Sequence, residues 1–265
     1  MSKLRPSKRA SAAIAAVMAV AVSIGGYWYA PAPTGKQYPA AVVLAAEHLL
    51  KGWEGLRLTA YRDMVGVWTI CYGETQGVRA GMRKTKAECE AMLYERLHRD
   101  FWLPIVACAP PLKDAPIPVQ TAMLSGAWNI GVGYAARDGV RGRGWCGSTA
   151  SRHIRNRQWM SSCDALTMYN RAGGRVVQGL VNRREMGNPG QMGEGELCVT
   201  PLGKAPAATT PAAPQPAPVA TVEVPADPVA PPPAPAAGGP PAALFIGLAL
   251  ALAAGAGFLI WRRRK

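Results

Sequence analysis

Histidine is scarce in this chain, three in 265 residues, and acidic side chains are few, 16 against 30 lysines and arginines. No histidine has a cysteine or a second histidine at metal-ligand spacing and no CxxC pair occurs, which argues against a zinc site and leaves no call for a metal or cofactor. His48, His98 and His153 read as surface or packing residues. No glycine-rich stretch stands between a strand and a helix at the spacing of a phosphate-binding loop. The acid deficit is not confined to the ends, since residues 36–204 hold 22 basic and 14 acidic side chains, a net of +8. A basic domain suits a polyanion: nucleic acid, anionic lipid or an acidic cell wall. A nucleic-acid partner has only this charge in its favour, because no reading motif accompanies it.

Leucine and phenylalanine are missing from the first apolar stretch. Ala10 to Ala30 is uncharged for 21 residues behind the basic MSKLRPSKR, and contains eight alanines, two glycines and two serines. As one helix it spans about 31 Å, enough for a hydrocarbon layer, yet it inserts only weakly. A cleaved signal peptide is the other reading, but its best cleavage site, Ala30-Pro31-Ala32, is followed by Pro33. No cysteine precedes Cys71, which excludes a lipid-anchored lipoprotein. A second apolar stretch, Ala242 to Trp261, is richer and ends in Arg262, Arg263, Arg264 and Lys265. Basic residues at both extremes place both ends in the cytoplasm and everything between them across the inner membrane, on the periplasmic side.

All six cysteines, Cys71, Cys89, Cys108, Cys146, Cys163 and Cys198, lie between the two spans, and an even count in an exported domain points to disulfides. Sequence proximity suggests Cys71 with Cys89 and Cys146 with Cys163, leaving Cys108 for Cys198. The chain therefore divides into a basic segment with a weak membrane helix (1–35), a globular domain (36–204), a linker (205–241) and a membrane helix with a basic end (242–265). The linker has 13 prolines between Pro206 and Pro241 and cannot bury a core. A monomer is expected.

Within the domain, Pro31 to Gln37 reads as a short linker and Ala40 to Leu50 as an amphipathic helix ending at Gly52. Strands follow at Leu58 to Tyr61 and Val67 to Tyr72, joined by a turn. Thr85-Lys86-Ala87-Glu88 is a capping box opening a helix towards Asp100. Helices are expected at Pro118 to Asn129, from Ser148 or Thr149 to Arg157, near Ser161 to Tyr169, and at Val176 to Glu185. Arg137 to Gly147 and Met186 to Gly195 read as surface loops.

The chemistry concentrates in WEGLRLTAYRDMVGVWTICYGET, Trp53 to Thr75. Glu54 closes a helix, Asp63 lies in a hairpin turn and Thr69 on the following strand, an order that lets two carboxylates face each other across a cleft. Glycoside hydrolysis needs that pair: an acid to protonate the leaving oxygen and a second carboxylate to stabilise the oxocarbenium ion or aim a water. Glu54, beside Trp53 and Leu56, suits the acid, its apolar neighbours favouring the protonated form. Asp63, beside Arg62, suits the ionised partner, and Thr69 can help hold the water. Taken singly, the three are an ordinary helix-end charge, turn acid and strand threonine.

Taken together with their surroundings, they resemble the catalytic stretch of the phage-type lysozymes, the endolysin muramidases of glycoside hydrolase family 24, in which Glu, eight residues, Asp, five residues and Thr form the triad. The resemblance continues through Asn129-Ile130-Gly131-Val132-Gly133, Ser148-Thr149, Arg171-Ala172-Gly173-Gly174 and Gly179-Leu180-Val181-Asn182-Arg183-Arg184-Glu185, ending at Glu196-Leu197-Cys198. It implies an α+β fold of a small antiparallel-sheet lobe and a helical lobe with a cleft between them. The implied reaction cleaves the β-1,4 bond between N-acetylmuramic acid and N-acetylglucosamine in peptidoglycan, for host lysis, with Glu54, Asp63 and Thr69 as catalytic residues. Family members typically invert the anomeric centre, which requires the two carboxyl groups roughly 6.5 to 9.5 Å apart. The weak first helix is similar to the signal-anchor-release segment of some of these endolysins. Where the family usually has Gly-His-Thr this chain has Gly73-Glu74-Thr75, which implies altered local packing. A non-catalytic, membrane-anchored peptidoglycan-binding protein is the competing function, and intact Glu54, Asp63 and Thr69 argue against it.

Overall fold

The structure, a computed structural model, describes residues 3–63, 66–137 and 139–201. The proline-rich linker and the second apolar stretch, Ala242 to Trp261, lie outside the described residues. Helix α1 (Lys8–Met18) starts at Ser7, whose side chain accepts a hydrogen bond from the Ala10 N–H at 3.1 Å. It buries Ala10, Ala13, Ile14 and Val17, one stripe at helical spacing. The single helix expected from Ala10 to Ala30 is thus not what this structure contains. After α1 the chain forms β1 (Val22–Ile24), β2 (Tyr27–Pro31) and β3 (Gln37–Pro39), a three-stranded antiparallel sheet in that order. The cause is local: Gly25 and Gly26 sit at φ of 57° and 81°, the pair of positive values a tight hairpin turn requires, and Tyr27-Trp28-Tyr29 favours strand. The expected linker at Pro31 to Gln37 is likewise the turn between β2 and β3, closed by the Ala32 N–H donating to the Lys36 carbonyl at 2.8 Å. Among the described residues no helix is long and apolar enough to cross a membrane.

A helical run follows as α2 (Ala40–Ala45), a π-helical turn (Ala46–Leu50) and α3 (Lys51–Glu54). It passes Gly52 and stops at Gly55, whose φ of 71° ends the helix where a side chain would be strained. Strands β4 (Arg57–Arg62) and β5 (Trp68–Cys71) then form the expected hairpin, with Tyr61 opposite Thr69 and Arg62 opposite Trp68. Helix α4 (Lys86–Arg96) opens on the expected capping box: the Thr85 N–H donates to Glu88 at 2.8 Å and the Glu88 N–H to Thr85 Oγ1 at 3.2 Å.

A π-helical turn (Leu97–Trp102) leads into α5 (Leu103–Cys108), a 3-10 turn (Pro110–Asp114) and α6 (Ile117–Ile130). Every residue of α6 from Ile117 to Ala127 is buried, which explains why its apolar residues are not confined to one stripe. It packs against α2, α8 (Trp159–Leu166) and α10 (Glu194–Cys198). The remaining elements are α7 (Thr149–Arg155), capped by Ser148 as expected, a two-stranded ribbon β6 (Arg171–Ala172) and β7 (Arg175–Val176), and α9 (Gln178–Arg184). The fold class is α+β. Residues of α1 and of the first hairpin share one hydrophobic core with α2 and α6.

Three disulfides join Cys71 to Cys89, Cys108 to Cys146 and Cys163 to Cys198. The first is the expected pair, tying β5 to α4. The other two correct the expectation. Proximity in sequence misled, because Cys163 on α8 faces α10, which packs beside it, while Cys146 precedes α7 and meets the end of α5.

Candidate active site

Glu54 is the last residue of α3, so the turn at Gly55 brings the carboxylate to the start of β4. Across from it lies the segment after β5. A Cβ placed on Gly73 would stand 4.0 Å from Glu54 Oε2, and Gly73 itself sits at φ 89°. This segment is pinned to β5 by reciprocal hydrogen bonds of 2.9 Å between Ile70 and Glu74. Glu54 therefore lies beside the segment that follows β5, the strand that carries Thr69.

Asp63 closes the turn of that hairpin. Its N–H donates to the Val67 carbonyl at 2.9 Å and its Oδ1 accepts from the Val67 N–H at 2.8 Å. Thr69, on β5 opposite Tyr61, is buried and donates from Oγ1 to the Val67 carbonyl at 3.1 Å. The hydroxyl and the Asp63 carboxylate are thus organised by one residue, Val67. Arg62 reinforces the turn by donating to the Gly66 carbonyl at 2.7 Å while its guanidinium stacks 4.8 Å from the Trp68 ring.

The neighbour of Glu54 that matters most was not singled out from sequence. Arg183, near the end of α9, donates from Nη1 to Glu54 Oε1 at 2.9 Å. The apolar surroundings expected around Glu54 are therefore interrupted by a guanidinium. Arg183 also reaches Glu194 at 3.3 Å, and Glu194 is shared with Arg184 and with the Ser125 hydroxyl at 2.7 Å. Arg184 continues to Asn129 at the end of α6 and to the Tyr169 carbonyl at 3.1 Å. Arg184 and Glu194 have no solvent exposure, so this is a buried chain of alternating charge running from Glu54 into the helical core. Both arginines lie in the GLVNRRE run, which the sequence marks only through its resemblance to the phage-type lysozymes.

The expected surface loop between Met186 and Gly195 is a clamp on α3. Trp53 donates from its indole to the Met192 carbonyl at 2.8 Å, and the Gln191 amide donates to the Gly52 carbonyl at 2.5 Å. The loop folds this tightly because Gly187 and Gly193 leave room: a Cβ at either would meet backbone at 2.1 Å or 2.2 Å. Glu74, in the position that departs from the family pattern, pairs with Arg96 at 2.9 Å and accepts from the N–H groups of Thr75 and Gln76 at 2.7 Å. Arg96 in turn lies 5.5 Å from the Trp128 ring. Glu74 thus supports the turn beside Glu54, a packing role.

Residues 51–187 match the family model for phage lysozyme. The chain is similar to the SAR-endolysin of Enterobacteria phage P21, 32% identical over 183 residues, covering 68% of this chain and 93% of that relative. It is also similar to the SAR-endolysin of Pseudomonas phage phiKMV, 34% identical over 148 residues, 54% of this chain and 84% of that one. Among solved structures, the active form of the P1 phage endolysin matches with 25% identity and a TM-score of 0.47, over 60% of this chain and 82% of that one.

Proposed function

The chain belongs to the phage lysozyme family, and we propose that it is an endolysin of glycoside hydrolase family 24 type in which Glu54, Asp63 and Thr69 hydrolyse the β-1,4 bond between N-acetylmuramic acid and N-acetylglucosamine in peptidoglycan. The observations that support this reading most are the placement of Glu54 beside the segment that follows the β4–β5 hairpin and the anchoring of Asp63 and Thr69 on one residue of that hairpin, Val67. In the reaction, Glu54 protonates the glycosidic oxygen as the bond to the anomeric carbon breaks. The Asp63 carboxylate takes a proton from the attacking water while Thr69 holds that water in line. Arg183 holds the Glu54 carboxyl in place and stays bonded to it once the proton has left, stabilising the charge that forms.

The reading extends to location. The weakly apolar run Ala10 to Ala30 spans the inner membrane as a helix in an anchored form and, once released, takes the helix-and-hairpin form described above. Ala242 to Trp261 anchors the other end, so the catalytic domain works as a monomer on the periplasmic side, against peptidoglycan strands. The relatives called SAR-endolysins support this reading.

The test is loss of turbidity by purified murein sacculi exposed to the full-length chain in non-ionic detergent, beside the same chain carrying Glu54→Gln. Residues 1–35 are kept, because α1 and the first hairpin contribute to the core. Clearing by the first and none by the second is the expected result. A folded, oxidised chain that clears nothing would leave the domain a peptidoglycan-binding module.

A further inference from the structure

A cavity of about 670 Å³ opens between the first hairpin and the helices around α6, and none of Glu54, Asp63 or Thr69 lines it. Its walls carry four aromatic side chains, Tyr27, Trp28 and Tyr29 from β2 and Trp102 from the π-helical turn before α5, and its rim carries Lys113 and Asp114. Tyr27 is 42% exposed, so the ring is available to a ligand and not merely part of the core. The Lys113 ammonium lies 5.5 Å from the centre of the Tyr27 ring, and Asp114 is held at 2.7 Å by Arg157. The volume falls in the range of small-ligand sites, and an exposed ring beside a few charged groups is what such a site uses for affinity and orientation.

We propose that this cavity is a second, non-catalytic subsite for a peptidoglycan glycan strand, with an N-acetylated hexopyranose stacked on Tyr27. A pyranose presents a flat face of C–H bonds to the negative face of an aromatic ring and hydroxyl or amide groups at its edge, which suits an aromatic wall with a polar rim. Lys113 supplies charge complementarity to the carboxylates that the strand bears on its stem peptides. The proposal rests on the reading of the chain as a peptidoglycan hydrolase.

Position gives the subsite its use. The cavity touches α6 at Ile117 and Gln120, whereas the buried charges leading to Glu54 meet α6 at Ser125 and Asn129, so cavity and charges occupy successive parts of one 14-residue helix of about 21 Å. A strand held at the cavity keeps neighbouring bonds of the same polymer at high local concentration near Glu54.

The experiment is co-sedimentation of the full-length chain carrying Glu54→Gln, in non-ionic detergent, with purified sacculi. Adding Tyr27→Ala and Lys113→Gln should weaken binding roughly tenfold, while Tyr27→Phe, which keeps the ring, should retain it. Thermal melting confirms that each variant is folded. Equal sacculus binding by the folded double variant overturns the proposal. So does a loss confined to binding of vesicles containing anionic phospholipid, which would make the exposed Val20, Val22, Ile24 and Tyr27 a lipid-facing surface. Clearing of sacculi by the chain with Glu54 intact judges the hydrolase reading separately.

Discussion

The guanidinium of Arg183 bonds the carboxylate of Glu54 at 2.9 Å and, on its other side, Glu194 at 3.3 Å, joining the proposed acid to a charge pair buried in the helical core. The two ends of this bridge should respond differently to mutation. Glu54→Gln keeps an oxygen for Arg183 and lies at the edge of the network, so it should abolish clearing while changing stability by no more than about 1 kcal/mol. Glu194→Gln removes the one anion between two buried guanidinium groups and should cost about 3 to 5 kcal/mol. Melting temperature and clearing rate, measured together, separate the two effects.

Asp63 accepts the Val67 N–H at 2.8 Å, and an amide oxygen can accept it equally well. Asp63→Asn should therefore preserve the turn and the melting temperature while lowering the clearing rate by roughly 100- to 10,000-fold, the range for loss of a general base. If Asp63 aims a water, the first product seen by proton NMR is the α-anomer. A β-anomer formed first would assign Asp63 the role of a nucleophile instead.

Thr69 is 4% exposed and its hydroxyl already has a partner in the Val67 carbonyl. Thr69→Val matches its shape and loses only that bond, at about 1 kcal/mol. Thr69→Ser keeps the hydroxyl. Activity retained in the serine variant and reduced on the order of 100-fold in the valine variant marks the hydroxyl as the positioning group. Equal activity in both would make Thr69 a packing residue.

How legible the molecule was in its sequence varied with the range of the interaction. The β4–β5 hairpin, the Thr85 to Glu88 box and the Ser148 cap depend on neighbours within a few residues and were readable. Arg183 lies 129 positions from Glu54, and nothing local to either residue announces the contact. The pairing of Cys163 with Cys198 is hidden for the same reason: it follows from α8 packing beside α10, and a rule of nearest cysteines cannot see helix packing. The stretch Ala10 to Ala30 is a different case. Its hydropathy suits a helix of full length, but two glycines at positive φ and a Tyr-Trp-Tyr strand direct the second half into a hairpin once the buried stripe of α1 has a core to join.

The disulfides carry a quantitative prediction. In the loop-entropy description, the bridges spanning 38 and 35 residues each contribute about 4 kcal/mol by restricting the unfolded chain. Replacing Cys163 and Cys198 together with alanine should lower stability by about that amount. It should also loosen the end of the domain that holds α10 and Glu194, so activity should fall at temperatures where the parent is still active. A double variant with unchanged melting would show that the α8–α10 packing alone holds this end.

Arg9 and Glu196 tie the N-terminal helix to α10, with Arg9 Nη2 to Glu196 Oε2 at 2.5 Å, and the Ser7 hydroxyl donates to the same carboxylate. Burial works to raise the Glu196 carboxyl, but hydrogen bonds from Arg9, Ser7 and the Gly193 N–H outweigh it, and the group titrates below the ordinary value of 4.5. A carboxylate depressed on folding contributes stability that is whole above its unfolded value and is lost as pH falls through the folded one. Docking of α1 should therefore be firm at neutral pH and weaken below about pH 4.5. Melting temperature followed against pH should fall through this window in the parent. In Glu196→Gln it should start lower at neutral pH and change less, so that the two curves converge in acid. Parallel curves would mean that the apolar stripe of Ala10, Ala13, Ile14 and Val17 holds α1 without help from the ion pair.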